Sequence, residues 1–550
     1  MENFDIHKAV AKYNRSVCGG YHPAVAILVY LTGGVAGVLA TCGFLIAGAY
    51  NSVRHGTSCG FRCTQYSGGY WSQAHPDMAA LYWGLALAAA GGTALLIKWG
   101  RKWQSRLISI DSGRADERHQ KGTRILNVKD AAYHLPTPHG ALTIAGIPLP
   151  ASVEQQHILL AGAPGSGKSE ALKTLIAQVR ARGSDGAVIH DPTGEFVSLF
   201  YDPKRGDLII NPLDARHAPW DLWSDLQPGE EANLAKAIIP SATGDNKYFS
   251  DAAQALLEVL FQQTHTIDDL VKAGLGESAQ ELVERLERAG MGGLAGNVKT
   301  FGSVRGNLAP YLRSLALLPP VPAGLGINLA EFCEKPKGRF IFLLTRRRTK
   351  DALRPLHQLF LTQVVSTATS LRPDPARRIW LFLDELPELM PSDAVATSLS
   401  QGRKFGLSSV MALQAVGQLY DRVGQHEAAA LLSMPKTRLI LRVGDGESAE
   451  AMSKEVGDRQ IQRKVVSLKQ NEVMKSEQNV TSTTWQTTTE RAVLPAEIMA
   501  LPDLNGYLRL ESSTMRVTLR YTPRATVAED YQPVPPRPLP VAERKEADNG

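Results

Sequence analysis

The chain has 550 residues, with 60 Lys and Arg against 54 Asp and Glu, a net charge of +6. Hydrophobic residues at 44% and charged residues at 21% are globular values; they exclude wholesale disorder and collagen-like repeats and allow about three or four domains. Five cysteines are too few for a disulfide-framed scaffold, and the mild basic excess is compatible with a nucleic-acid partner without identifying one.

Two uncharged apolar runs open the chain, Ala24 to Ala49 and Met78 to Ile97. Each reaches the roughly 20 residues that a helix needs to cross a bilayer, so residues 1–106 are expected to form a membrane domain with spans at about 24–49 and 78–97. Lys8, Lys12 and Arg15 precede the first span, and Lys98, Arg101, Lys102 and Arg106 follow the second. The loop between them has only Arg54 and Arg62. That bias predicts a two-pass protein with both termini in the cytoplasm. In a Gram-negative host the loop, with Cys59 and Cys63, faces an oxidising space, where the pair forms a small disulfide or stays as two thiols. Glycines in both spans allow close helix contact, which suits oligomerisation or ordinary membrane composition equally.

From Leu107 the chain reads as soluble. HILLAG from His157 and AVIH from Ala187 are short apolar strands, with a helical stretch from Lys168 between them. Further strands are expected at RFIFLLT from Arg339, IWLFLDE from Ile379, SSVMALQ from Ser408 and RLILRV from Arg438. Their alternation with helices predicts an α/β fold with a mostly parallel sheet. GYLRLES and MRVTLRYT, from Gly506 and Met515, predict an appended hairpin. Residues 215–320 carry helical periodicity without a convincing strand, and predict an all-helical insertion between the two parts of the α/β domain, 107–214 and 321–528. The polar, Ser/Thr-rich stretch from Arg459 to Arg491 reads as a flexible linker or a loop near a channel, and the proline-rich, charged tail, 529–550, as disordered.

Gly162-Ala163-Pro164-Gly165-Ser166-Gly167-Lys168-Ser169 fits G-x4-G-K-[ST] between a strand and a helix. Glycines there let backbone N–H groups turn toward phosphate oxygens, and the helix N-terminus adds positive charge. Lys168 is expected to reach the outer phosphates of ATP, and the Ser169 hydroxyl to bind Mg2+. IWLFLDE ends in a strand-terminal acid pair, the Walker B pattern, with Asp384 assigned to the metal and Glu385 to general-base activation of water. Gln414 ends the next strand and is placed to sense the γ-phosphate. Arg403 is a candidate for neutralising transition-state charge from a neighbouring subunit. Asp191 supports either the metal site or the sheet edge.

In this order, GAPGSGKS, IHDPTGEF, NPLDARHAPWDLW, KYFSDAAQALL, FLDELPEL, GRKFG, ALQAVGQL and LPAEIMALPDLNGYL resemble the type IV secretion coupling proteins of the conjugative kind. The resemblance covers about residues 20 to 521. It implies a RecA-like P-loop ATPase domain with an inserted all-α domain, anchored in the bacterial inner membrane by the two N-terminal helices and assembled as a hexamer. It implies DNA-stimulated ATP hydrolysis driving single-stranded DNA, without sequence specificity, through a type IV secretion channel. The implied partners are the relaxase, relaxosome accessory proteins and inner-membrane secretion components. Arg403, Lys404 and Lys247 are candidate DNA contacts, and no sequence-reading DNA motif accompanies them. An FtsK-like pump of double-stranded DNA and a substrate-recruiting scaffold that uses ATP as a switch are the alternatives.

Overall fold

The computed structural model describes residues 117–127, 141–242, 244–294, 298–322, 324–374, 376–469, 480–511 and 513–535. The expected spans, Cys59 and Cys63 lie outside these residues. Among the described residues no helix is long and apolar enough to cross a membrane.

The strands in chain order are β1 (Glu117–Gly122), β2 (Ile125–Asn127), β3 (Thr143–Ile144), β4 (Ile147–Pro148), β5 (Ile158–Ala161), β6 (Gly186–Asp191), β7 (Leu208–Ile210), β8 (Phe340–Leu344), β9 (Ile379–Leu383), β10 (Leu407–Leu413), β11 (Thr437–Leu441), β12 (Asp458–Lys469), β13 (Val480–Arg491), β14 (Asn505–Leu510) and β15 (Ser513–Thr518). The chain divides into two compact units.

The larger unit is built on a sheet ordered β2-β15-β14-β11-β5-β10-β9-β6-β8-β7. From β11 to β7 every neighbouring pair is parallel, and β14 is antiparallel to both β11 and β15. Every residue of β5, β6, β8, β9, β10 and β11 is buried. Parallel strands covered on both faces are mostly apolar, which is why they read as short hydrophobic runs. β7 was not expected: three residues between Asp207 and Asn211 are too short a run to signal a strand.

After β7 the chain leaves the sheet for helices Glu231–Ile238, Lys247–Gln263, Ile267–Val271, Ala279–Arg288 and Val298–Leu315, and returns through helix Leu329–Glu334 to β8. Lys247–Gln263 is central to this group, with Leu256, Leu257, Val259 and Leu260 fully buried. Ala279–Arg288 starts with a capping box from Ser278 and Glu281, which satisfies two donors of its first turn. The long helix Lys350–Ser370 packs against both Glu231–Ile238 and Val298–Leu315. On it, Gln363 accepts from Trp220 Nε1 at 2.9 Å, and Phe360 packs edge-on to the Trp220 ring at 5.0 Å. One hydrophobic core runs from the sheet into the helical group.

Two expectations are corrected. Residues 459–469 and 480–491 are not a linker: they belong to β12 and β13, which lie in a three-stranded sheet with β1. Most of β12 and β13 belongs to the smaller unit, where Arg118 stacks 4.4 Å over Trp485 and Gln120 bonds Gln462. Polar residues dominate β13 and the start of β12, so neither run shows the apolar alternation that would have announced a strand. The tail is ordered at its start: Tyr531 Oη donates to the Leu213 carbonyl at 2.7 Å, Ala215 N to Gln532 O at 2.7 Å and Val534 N to Leu213 O at 3.1 Å.

Candidate active site

The C-terminal edge of a parallel sheet gathers loops where the strand order reverses, and ligands bind there. Here β5 lies between β10 and β11, and its following loop, residues 162–167, starts the helix Lys168–Arg182. The loop is pinned by backbone bonds from Gly162 N to Leu413 O at 3.1 Å and from Ala163 N to Arg442 O at 2.7 Å. Gly165 and Gly167 take φ of 77° and 113°, values that side chains rarely adopt. A Cβ on Gly167 would also stand 2.8 Å from Leu504 Cδ2.

Lys168 and the acid pair after β9 converge. Lys168 Nζ lies 3.3 Å from Glu385 Oε2 and 3.9 Å from Asp384 Oδ1, with Lys168 and Glu385 both buried. Glu385 Oε1 has no hydrogen-bond partner among the described residues. Glu385 itself adopts φ 63° and ψ 68°, a left-handed conformation that costs on the order of 1–3 kcal/mol in a side-chain-bearing residue. Burial pushes the Asp384 carboxyl up to about 6; Lys168 opposes this, while Glu385, Asp191 and Glu195 add to it. A cation placed beside Asp384 would hold it ionised.

These groups face an open cleft of about 610 Å3, lined by residues 163–165 and 167–169 and by Asp384, Glu385 and Gln414. The cradle fits a polyphosphate: it offers a glycine-formed turn, a helix N-terminus and one buried ammonium. Ser169 and Asp384 supply oxygen ligands suited to a hard divalent ion. Among the described residues no cluster of three His, Cys, Asp or Glu could hold a metal unaided, so an ion here would share its shell with phosphate and water.

Gln414 stands one residue past β10, on the cleft as expected. Arg403, the candidate for a neighbouring subunit's site, is exposed in the turn Gly402–Phe405 before β10, at the other end of that strand, and is not among the residues lining this cleft. Asp191 is resolved toward structure. Its Oδ1 accepts from Gly194 N at 2.8 Å and Thr193 N at 3.3 Å, and its Oδ2 from Val197 N at 2.8 Å, which caps helix Glu195–Phe200. Lys404 and Lys247 are exposed.

Cleft residues not foreseen include Lys173, Glu195, Arg347, Lys350, Glu388 and Tyr521. Lys173 pairs with Glu170 and Glu195 at 3.2 and 3.1 Å, and Lys350 with Glu388 at 3.0 Å. Arg347 comes from the RRR run after β8, a signal visible in the sequence. Tyr521 follows β15 on a strap held by Thr522 N and Arg524 Nη1, both donating to Glu170 Oε1 at 3.0 and 3.1 Å. Burial raises the Glu170 carboxyl, but Thr522, Arg524 and Lys173 together leave it below its ordinary value.

The family model of the type IV secretion-system coupling protein DNA-binding domain matches residues 141–520. Coupling protein TraD of Escherichia coli (strain K12) is 28% identical over 411 residues, 71% of this chain and 56% of TraD. The match thus spans little more than half the length of that relative. The unbound structure of the bacterial conjugative coupling protein TrwBdeltaN70 is similar with a TM-score of 0.68 at 28% identity, covering 76% of this chain and 97% of that one. Plasmid coupling protein TrwB in complex with ADP and Mg2+ gives 0.66 at 28% identity, with 76% and 97% covered.

Proposed function

The chain belongs to the type IV secretion-system coupling proteins, and from that premise we propose that it is an ATP-driven motor that exports single-stranded DNA during conjugation. The observation that carries the reading is the convergence of Lys168, Asp384 and Glu385 in a glycine-cradled cleft with Gln414 at its edge. A site for binding alone does not need a second carboxylate held in a strained backbone conformation beside the phosphate lysine. TrwB, a relative of the same α/β RecA-like fold, has been solved with ADP and Mg2+.

In this reading the backbone amides of residues 163–169 and Lys168 hold the ATP phosphates, and Ser169 with Asp384 holds Mg2+. The ion supplies charge neutralisation at the phosphates. Glu385, released from Lys168 as the lysine turns to phosphate, orients water and takes its proton. Gln414 registers the presence of the γ-phosphate. Lys350–Ser370 is the mechanical link, because it touches the Walker B side through Lys350–Glu388 and also packs on the inserted helices. Arg403 serves the neighbouring site in a homo-hexamer. Two N-terminal spans place the motor at the inner membrane, beside relaxase, relaxosome and channel components.

The test is ATP hydrolysis by the full-length protein in nanodiscs, with and without single-stranded DNA, against Lys168→Ala. The reading expects stimulation by DNA and loss of at least about a thousandfold in the variant, the scale on which transition-state charge stabilisation acts. Hydrolysis indifferent to both DNA and Lys168 would refute it.

A further inference from the structure

The Walker B acids are useful only if their backbone is held, and β9 ends just before them. In the β6–β9 ladder the last paired residues are His190 and Leu383. One residue further, the Asp384 carbonyl lies 2.6 Å from His190 Nδ1. A carbonyl oxygen can only accept, so a contact this short requires the proton on Nδ1. His190 is therefore a donor of fixed tautomer, and it is 2% exposed. Its ring packs edge-on to His357 at 6.2 Å, and His357 Nε2, by the same reasoning, donates to the Ile210 carbonyl at 3.0 Å. His357 sits on helix Lys350–Ser370, and the same helix clamps the segment after Walker B through Gln358 Nε2, which donates to the carbonyls of Leu389 and Pro391 at 2.9 Å each. The peptide that carries Asp384 and Glu385 is thus gripped from beneath by His190, while Glu385 stays in its strained left-handed conformation.

We infer that His190 is a positioning residue for ATP hydrolysis, fixing the Asp384–Glu385 peptide so that the general base points at the attacking water. The inference rests on the ATPase reading above. His190 does not line the phosphate cleft, so its removal should leave nucleotide binding to the P-loop and affect the chemical step. Small misplacements of a catalytic group cost rate steeply, up to about a hundredfold for ~1 Å.

The experiment uses the full-length protein and compares wild type, His190→Leu and His190→Asn, measuring kcat, KM for ATP and the affinity for a fluorescent ATP analogue. Leucine removes the donor, whereas the asparagine amide presents an N–H near the position of Nδ1. The expected result is a kcat lowered about 10- to 100-fold in His190→Leu with KM and nucleotide affinity unchanged, and kcat largely recovered in His190→Asn. A wild-type kcat in His190→Leu, or an asparagine variant as slow as the leucine one, overturns the inference. Should His190→Leu also lose nucleotide affinity, the asparagine variant decides: recovery supports the role and failure overturns it. A wild-type protein that hydrolyses no ATP would instead remove the ATPase reading on which this one stands.

Discussion

Arg403 offers the sharpest test of the proposed ring assembly. It lies in the turn before Leu407, and β10 then runs parallel to β5 and β9 up to Leu413 at the cleft. Six steps of about 3.3 Å carry the strand roughly 20 Å, beyond the reach of one arginine side chain. Arg403 therefore cannot neutralise charge in its own cleft, and acts either on a neighbour's site or not at all. An arginine supplied in trans to a P-loop site contributes about a thousandfold or more, near 4 kcal/mol of barrier. Arg403→Ala and Lys168→Ala should each be inactive by that margin when made alone. In a closed ring every interface pairs one subunit's cleft with the next subunit's opposite face, so a random equal mixture restores both wild-type residues at about one quarter of the interfaces. The assay is ATP hydrolysis by rings purified through two different tags, one on each variant. Activity near a quarter of wild type is the expected outcome. Wild-type activity in Arg403→Ala alone, or mixed rings as dead as their parents, would refute the trans assignment.

Other predictions test the site and its frame. Gly165 and Gly167 both need positive φ, but a Cβ meets nothing at Gly165 and meets Leu504 at 2.8 Å at Gly167. Gly165→Ala should weaken ATP-analogue binding by less than about tenfold, and Gly167→Ala by considerably more; equal losses in a fluorescence titration would contradict this. His157 and His217 accept backbone N–H groups at Nδ1, from Ser409 at 3.1 Å and Asn211 at 3.2 Å, and burial lowers both to about 4. The unfolded chain takes these protons near 6.5 and the folded one only near 4, so stability falls as pH drops through that window, by about 2 kcal/mol per histidine at pH 5. Tm measured at pH 7 and pH 5 should show the loss, and His217→Asn should reduce it. Tyr521, 68% exposed on the cleft, offers a flat face to the nucleotide base. Tyr521→Ala should raise KM for ATP about fivefold or more, with kcat unchanged.

What could be read from the chain, and what could not, follows from where each interaction is made. β8, β9 and β10 were visible because burial on both faces favours apolar residues, and the P-loop because its chemistry is compressed into eight consecutive positions. Gln414 lines the cleft for a related reason: the residue after an apolar parallel strand emerges at the sheet's C-terminal edge. The same logic, applied to Arg403, separates it from its own site, since a residue before such a strand emerges at the opposite edge. β12 and β13 escaped notice because their sequences are largely polar, without a regular apolar alternation, leaving mainly their Thr, Val and Trp content as a signal. Tyr521 and the start of the tail were missed because the groups that hold them, Glu170 and Leu213 among them, lie more than 300 positions away in the sequence. His190 belongs to a third kind. Its contact with Asp384 spans 194 positions and exists because β6 and β9, distant in sequence, are neighbours in the sheet. Its neighbour in sequence, Asp191, drew a reading of metal site or sheet edge and is found capping a helix, whereas the histidine, inconspicuous within an apolar strand, bonds the peptide to which the proposed hydrolysis is assigned.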